Sequence, residues 1–227
     1  MKQPKLTKRL PRSSAKTAGG RDVKNRLLEA SLQLFAERGY DGVAVDEIVA
    51  AAGVNKRMVY HYFGSKDGIY SAVLEQAYEG LRASEERFFT PLKLSSKPRK
   101  AVRDLVGLYF DFLRKHPEFV RLLLWENLQG GTHLGKAGPA VSKGPMLSYL
   151  QALLDAGVAA RTFRKGLDAR QVLVSLIGLC LVYFSNRHTL ARTVGLDVSA
   201  PHAMNIAIEA TADIFLDGIC CRTSSKA

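Results

Sequence analysis

Apolar residues in the first third of the chain recur at helical spacing. Val23, Leu27, Ala30 and Leu34 stand three or four apart, with Leu28, Leu32 and Phe35 beside them. That spacing predicts a helix over 21–38. Gly39 closes it, and Tyr40-Asp41-Gly42 read as a turn. Val45, Ile48, Val49 and Ala52 outline a short second helix, with Asp46 and Glu47 in its first turn, where acids favour the helix dipole. Gly53 breaks it. Asn55 is a suitable cap for a third helix, whose inward residues are Val54, Val59 and Phe63. Gly64-Ser65 stops that helix, and Ser65 can cap a fourth. The fourth carries the stripe Ile69, Val73, Ala77, Leu81, flanked by Tyr70, Leu74 and Phe88, and ends before Pro91.

Residues 90–100 read as a loop. Val102, Leu105, Val106, Tyr109, Phe112 and Leu113 outline a fifth helix, which His116-Pro117 breaks because the residue before proline avoids the α region. A sixth covers 117–129, and the Gly- and Thr-rich stretch 130–138 forms a loop. A seventh is expected over 140–161, an eighth over 171–190 with Asp168 as its cap, and a ninth over 200–218. No useful strand alternation and no internal repeat appears. The pattern predicts an all-α fold of about nine helices. The most apolar run, 172–184, is 13 residues long; a bilayer span needs about 20, so it reads as a buried helix and not as a membrane anchor.

Composition changes this picture in one respect. With 227 residues and 47% hydrophobic content, one large or two modest domains can bury a core. The net charge of +12 points to an anionic partner, nucleic acid or a membrane surface. The excess is concentrated: residues 1–66 hold 13 Lys/Arg against 6 Asp/Glu, and residues 1–21 hold seven cations and no acid. Residues 1–20 therefore read as a disordered basic arm, 21–67 as a helix-turn-helix domain and 68–220 as a second helical domain. Cys180, Cys220 and Cys221 have neither disulfide-framework nor zinc spacing. Together with the lack of a signal-peptide apolar region near the start, this leads us to expect a reducing cytoplasm.

Little supports catalysis, and no cofactor is expected. The five histidines (61, 116, 133, 188, 202) do not pair at metal-ligand spacing, so no metal site is expected. The stretch "GGTHLGKA" at 130–137 nearly spells a phosphate-binding loop, but Ala137 replaces the Ser/Thr that would hold Mg²⁺, and no strand precedes it.

The chemistry lies in the second and third helices. Two short helices joined by a tight turn match a helix-turn-helix, whose second helix enters the major groove. Lys56 and Arg57 can donate to guanine, and Asn55 can pair with adenine. Tyr60, one turn on, offers a hydroxyl to a phosphate. Lys66 stands at the start of the fourth helix, where its charge joins unpaired N–H groups as a phosphate site. A solvated helical hairpin is the competing reading. Charge alone leaves it open; the joint pattern argues against it.

The stretch "LFAERGYDGVAVDEIVAAAGVNKRMVYHYFGSKDGIY" resembles the N-terminal domain of the TetR family of bacterial transcriptional regulators. The match runs through Leu34, Phe35, Gly39, Tyr40, Val45, Ile48, Ala52, Gly53, Val54, Val59, Tyr60, Tyr62, Phe63, Ser65, Lys66 and Asp67. Val43 and Ala44 depart from it, standing where the family places Ser/Thr around the cap of its second helix. The resemblance implies a homodimeric, usually repressing regulator on a palindromic operator of double-stranded DNA. It also implies that Tyr60 and Lys66 contact phosphates, and that residues 54–58 and 61, including Met58 and His61, lie near bases. "HPEFVRLLLWENLQGG" and "DARQVLVSLIGLCLVYF" are similar to the C-terminal halves of RutR-like members. In the family the last two helices form a four-helix dimer bundle, here the eighth and ninth. A small-molecule effector pocket would lie among the fifth to eighth helices, with Tyr109, Phe112, His116, Trp125, Asn127, Gln129, Tyr149, Tyr183 and His188 as candidates. Two alternatives stay open: an architectural DNA-binding protein, and an enzyme domain fused to a helix-turn-helix.

Overall fold

The computed structural model describes residues 13–87, 89, 97–198 and 200–221. They form ten α-helices: α1 (Ser13–Arg38), α2 (Val45–Ala52), α3 (Arg57–Phe63), α4 (Lys66–Glu86), α5 (Pro98–Lys115), α6 (Pro117–Leu128), α7 (Gly144–Ala159), α8 (Ala169–Ser185), α9 (Arg187–Thr193) and α10 (Pro201–Ile219). Among the described residues β structure is limited to one isolated antiparallel bridge, Phe163 to Cys220. The all-α expectation holds.

The chain divides into two compact units, one ending at Val73 and the other beginning at Leu74. In the first, α1 packs on α2 and α3. Leu27, Phe35, Ile48, Val59, Ile69, Tyr70 and Val73 are wholly buried there. Each of the aliphatic side chains and Phe35 contributes about 1.5–3 kcal/mol through removal from water. Phe35 meets Tyr70 edge-on, with ring centres 4.8 Å apart, and Tyr40 meets Tyr70 at 5.1 Å. In the second unit α5 is central, packing against α7, α8 and α10. Leu105, Val106, Phe110, Leu153, Leu176, Cys180 and Leu216 lie at the heart of that core. Helix α4 is continuous, with its first turns in one unit and the remainder in the other.

Several expected boundaries move, each for a local reason. Helix α1 begins at Ser13, so 13–20 are helical and not part of a disordered arm; residues 1–12 lie outside the described residues. Lys16, Ala15 and Ala18 are helix-compatible, and only Gly19-Gly20 argued against extension. Helix α4 stops at Glu86; Phe88, the expected inward neighbour, and most of the expected 90–100 loop (90–96) lie outside the described residues. Helix α5 starts at Pro98, whose missing N–H and fixed φ suit a first turn. The same rule places the start of α7 at Gly144, one residue before Pro145, and not at 140; Pro139–Val141 forms a separate 3₁₀ turn. The expected eighth helix breaks at Asn186 into α8 and α9, which meet at a 72° bend. Asp168 caps α8 as expected, its Oδ1 accepting from the N–H of Arg170 (2.8 Å) and of Gln171 (3.1 Å). Among the described residues no single helix is long and apolar enough to cross a membrane.

Candidate nucleic-acid interface

The turn between α2 and α3 depends on Gly53, which sits at φ 62°, ψ 42°, a left-handed conformation that costs L side chains strain. Its N–H and that of Val54 return to the carbonyls of Ala50 (3.2 Å) and Val49 (3.1 Å), closing the end of α2. From α1, the Arg26 guanidinium donates to the Ala52 carbonyl (3.3 Å), satisfying another group at that end.

At the other end of α2, Ala44 has no side-chain oxygen to offer. Only half of a capping box forms: the Glu47 carboxylate accepts from the Ala44 N–H (2.8 Å) and from Arg38 (2.7 Å). These bonds hold the Glu47 carboxyl below its ordinary pKa, the Ala44 N–H first.

Asn55 stands two residues before α3; its Oδ1 accepts from the Arg57 N–H (2.9 Å) while its carbonyl accepts from the Met58 N–H (2.9 Å). Asn55 therefore caps, as expected. Its amide oxygen is occupied, leaving the two N–H donors for other partners. Lys56 makes an exposed ion pair with Asp46 of α2 (2.8 Å), and this hydrogen bond raises its pKa. Arg57, Tyr60 and His61 are exposed and stand three and four residues apart, so they share one face, with Tyr60 51% exposed. Met58 is half-buried, and Val59 on the opposite side is fully buried and anchors the helix.

The α3–α4 junction is tighter than its sequence suggests. A Cβ placed on Gly68 would lie 1.8 Å from the Phe63 backbone oxygen, so only glycine lets α4 start so close to the end of α3. Ser65 caps α4, its Oγ accepting from the Gly68 N–H (3.1 Å). Lys66 follows, half-buried, with its Nζ 4.2 Å from the centre of the Tyr40 ring. The Tyr40 hydroxyl donates to Asp67, and burial followed by that bond pushes the phenol up to about 12. Lys66 is thus a positioned cation at a capped helix N-terminus. Sequence reasoning found the cation and the cap. It missed Gly68, Arg26 and the Tyr40 platform, which depend on contacts between separate elements.

The expected effector residues fall mostly into the core of the second unit. Tyr109, Phe112 and Tyr149 are buried; Trp125, Gln129, Tyr183 and His116 are half-buried; Asn127 and His188 are exposed. Asn127 donates to its own helix at the Leu123 carbonyl (2.7 Å). Phe112 meets Phe119 edge-on and His116 at a tilt, and Tyr149 packs at a tilt on Phe89, as does Tyr183 on Phe110. These contacts form several small aromatic groups rather than one assembled site. Tyr109 joins a buried polar centre: its hydroxyl donates to Glu85 (2.8 Å), a carboxylate 3% exposed. Burial, then Glu85, holds that phenol far above its ordinary pKa. Among the described residues no group of three or more His, Cys, Asp or Glu is arranged to hold a metal.

Two family models match the chain: "Bacterial regulatory proteins, tetR family" over residues 27–73, and "Tetracyclin repressor-like, C-terminal domain" over 98–214. The HTH-type transcriptional repressor NicS of Pseudomonas putida is 31% identical over 198 residues, 87% of this chain and 92% of that protein. The HTH-type transcriptional regulator RutR of Escherichia coli is 30% identical over 53% of this chain and 58% of its own length. Among solved structures, the transcriptional regulator FadR of Bacillus subtilis, in complex with stearoyl-CoA, superposes with a TM-score of 0.64 at 18% identity, over 86% of this chain and 98% of that one.

Proposed function

The chain belongs to the TetR family of bacterial regulatory proteins, and from that premise we propose that it is a homodimeric repressor that binds a palindromic operator and lets go when a small molecule occupies its second unit. Residues 21–67 act as the DNA-binding domain and 68–220 as the effector-binding and dimerisation domain, in the cytoplasm. The observation that carries this reading is the exposed face of α3, with Arg57, Tyr60 and His61 set between an internally capped turn and the positioned cation Lys66. Arg57 and His61 read base edges, joined by Lys56, Met58 and the free amide N–H groups of Asn55. Tyr60 and Lys66 grip the backbone on either side and fix the register.

Each α3 covers one half-site, so two copies must present theirs about 34–36 Å apart, one turn of DNA. The surface offered for pairing is apolar. Val174 and Val182 on α8, with Ile206 and Ile214 on α10, are 66%, 39%, 56% and 63% exposed. Four large aliphatic side chains on two neighbouring helices suit burial against a second copy. A ligand that favours one spacing of the two α3 helices shifts the population towards it, through α4.

Selection of bound sequences from random duplexes by the purified protein tests the proposal. A recovered palindrome bound with a steep salt dependence is the expected result. Binding without sequence preference would favour an architectural role, and no binding at low ionic strength would refute the reading.

A further inference from the structure

Residues 129–143, between α6 and α7, contain the glycine-rich stretch that resembles a phosphate loop and lacks its chemistry. The structure gives this segment a different character. Gly130 and Gly131, at φ 70° and 71°, turn the chain sharply out of α6, and two 3₁₀ turns carry it to α7. Carboxylates bond to it at two points, Glu126 and Glu85, and a third carboxylate packs beside it. Glu126 of α6, 1% exposed, accepts from the backbone N–H groups of His133 (3.2 Å) and Leu134 (2.9 Å) and lies 3.2 Å from His133 Nδ1. Glu75 of α4 lies against Gly138, in space a Cβ would fill. Glu85 of α4 accepts from Lys143 Nζ (2.7 Å) as well as from Tyr109.

The Glu85 attachment, with Glu75 packed nearby, thus leads to α4, the helix that continues from the DNA-binding unit. The Glu85–Lys143 pair can open from one side only. The Lys143 side chain is 23% exposed and reaches water by rotating its own bonds, whereas that of Glu85 is 3% exposed and moves only with its helix. A buried carboxylate that loses its cation is strongly disfavoured, so opening there removes the ion pair that ties this segment to α4.

We propose that residues 129–143 are a strap whose attachment to α4 sets DNA affinity: when the strap lifts, α4 loosens and the operator is released. This rests on the reading of the chain as an operator-binding repressor and specifies how its second unit is coupled to DNA. Lys143 and Glu85 act as positioning residues, and Glu126 is a local fastening only.

The test compares the full-length wild type with Lys143→Met, Lys143→Arg and Glu126→Gln, by amide hydrogen exchange across 129–143 and by fluorescence anisotropy with the selected operator duplex. Lys143→Met is expected to speed exchange in the strap about tenfold and to weaken operator binding about fivefold or more. Lys143→Arg should restore both. Glu126→Gln should speed exchange near residues 133–134 while leaving operator affinity near wild type, because Glu126 stands on α6. Faster exchange in Lys143→Met with unchanged operator affinity would overturn the coupling, and unchanged exchange would overturn the latch. If the wild type binds no DNA, the repressor reading fails, while the exchange data still decide whether the ion pair holds the strap.

Discussion

Lys66 and Arg57 carry similar charge but are assigned different work, and their replacement should separate the two roles. Lys66→Ala is expected to weaken binding to operator and random duplex alike, and to lower the slope of log affinity against log salt by about 1. An unchanged slope removes Lys66 from the backbone. Arg57→Ala should cost about 1–3 kcal/mol on the operator and relax preference at one or two positions; equal loss on scrambled DNA would make it a backbone contact. The two cations, the Ser65 cap and the Asn55 cap were all legible in the sequence, because each depends on residue type and local spacing. The fate of the Asn55 oxygen was not, since one atom serves equally for capping and for base contact. Glu85 left a signal that went unread. The stripe Ile69, Val73, Ala77, Leu81 steps by four, and its next position is Glu85, a charge on the buried face. A carboxylate at that register implies a buried partner, although the chain does not say that the partner is 58 residues away.

At the level of elements, the helices were readable and their junctions less so. Periodicity specifies which residues face inward, but the approach of one backbone to another leaves no trace in it. Gly68 is the clearest instance. Gly68→Ala would press a methyl onto the Phe63 carbonyl, which cannot yield as a flexible side chain would. A loss of roughly 1–3 kcal/mol, seen as a lower melting temperature together with lost DNA binding, is expected. The opposite result is expected at the start of α2. Ala44→Ser supplies the missing half of the capping box and should stabilise the protein by about 1 kcal/mol in chemical denaturation. No gain would mean that Glu47 and Arg38 already satisfy that helix end. The break at Asn186 was hidden because apolar spacing runs on through Leu190, and nothing there is as disruptive as proline. The effector candidates carry a related ambiguity: aromatic side chains at helical spacing suit a core as well as a pocket, and Phe112 and Tyr149 lie buried in the second unit.

For the whole molecule the proposed pairing of two copies is the feature to test. Ile206→Glu with Ile214→Lys should shift sedimentation from dimer to monomer and weaken operator binding far more than half-site binding, because the second contact no longer comes tethered to the first. An unchanged dimer would remove α10 from the pairing surface. Such a molecule also has to locate one address within a long, uniformly charged polymer, and here the pairing of Lys56 with Asp46 matters. Lys56 arrives with a counter-ion already attached. A stretch that offers only sugar and phosphate exchanges one partner for another and leaves a stranded aspartate beside the polyanion. A sequence that also engages its neighbours offsets that cost, which is small for so exposed a pair. Asp46 would then disfavour lingering in the wrong places: Asp46→Asn is expected to raise affinity for random duplex modestly in fluorescence anisotropy, and unchanged affinity would remove Asp46 from that role.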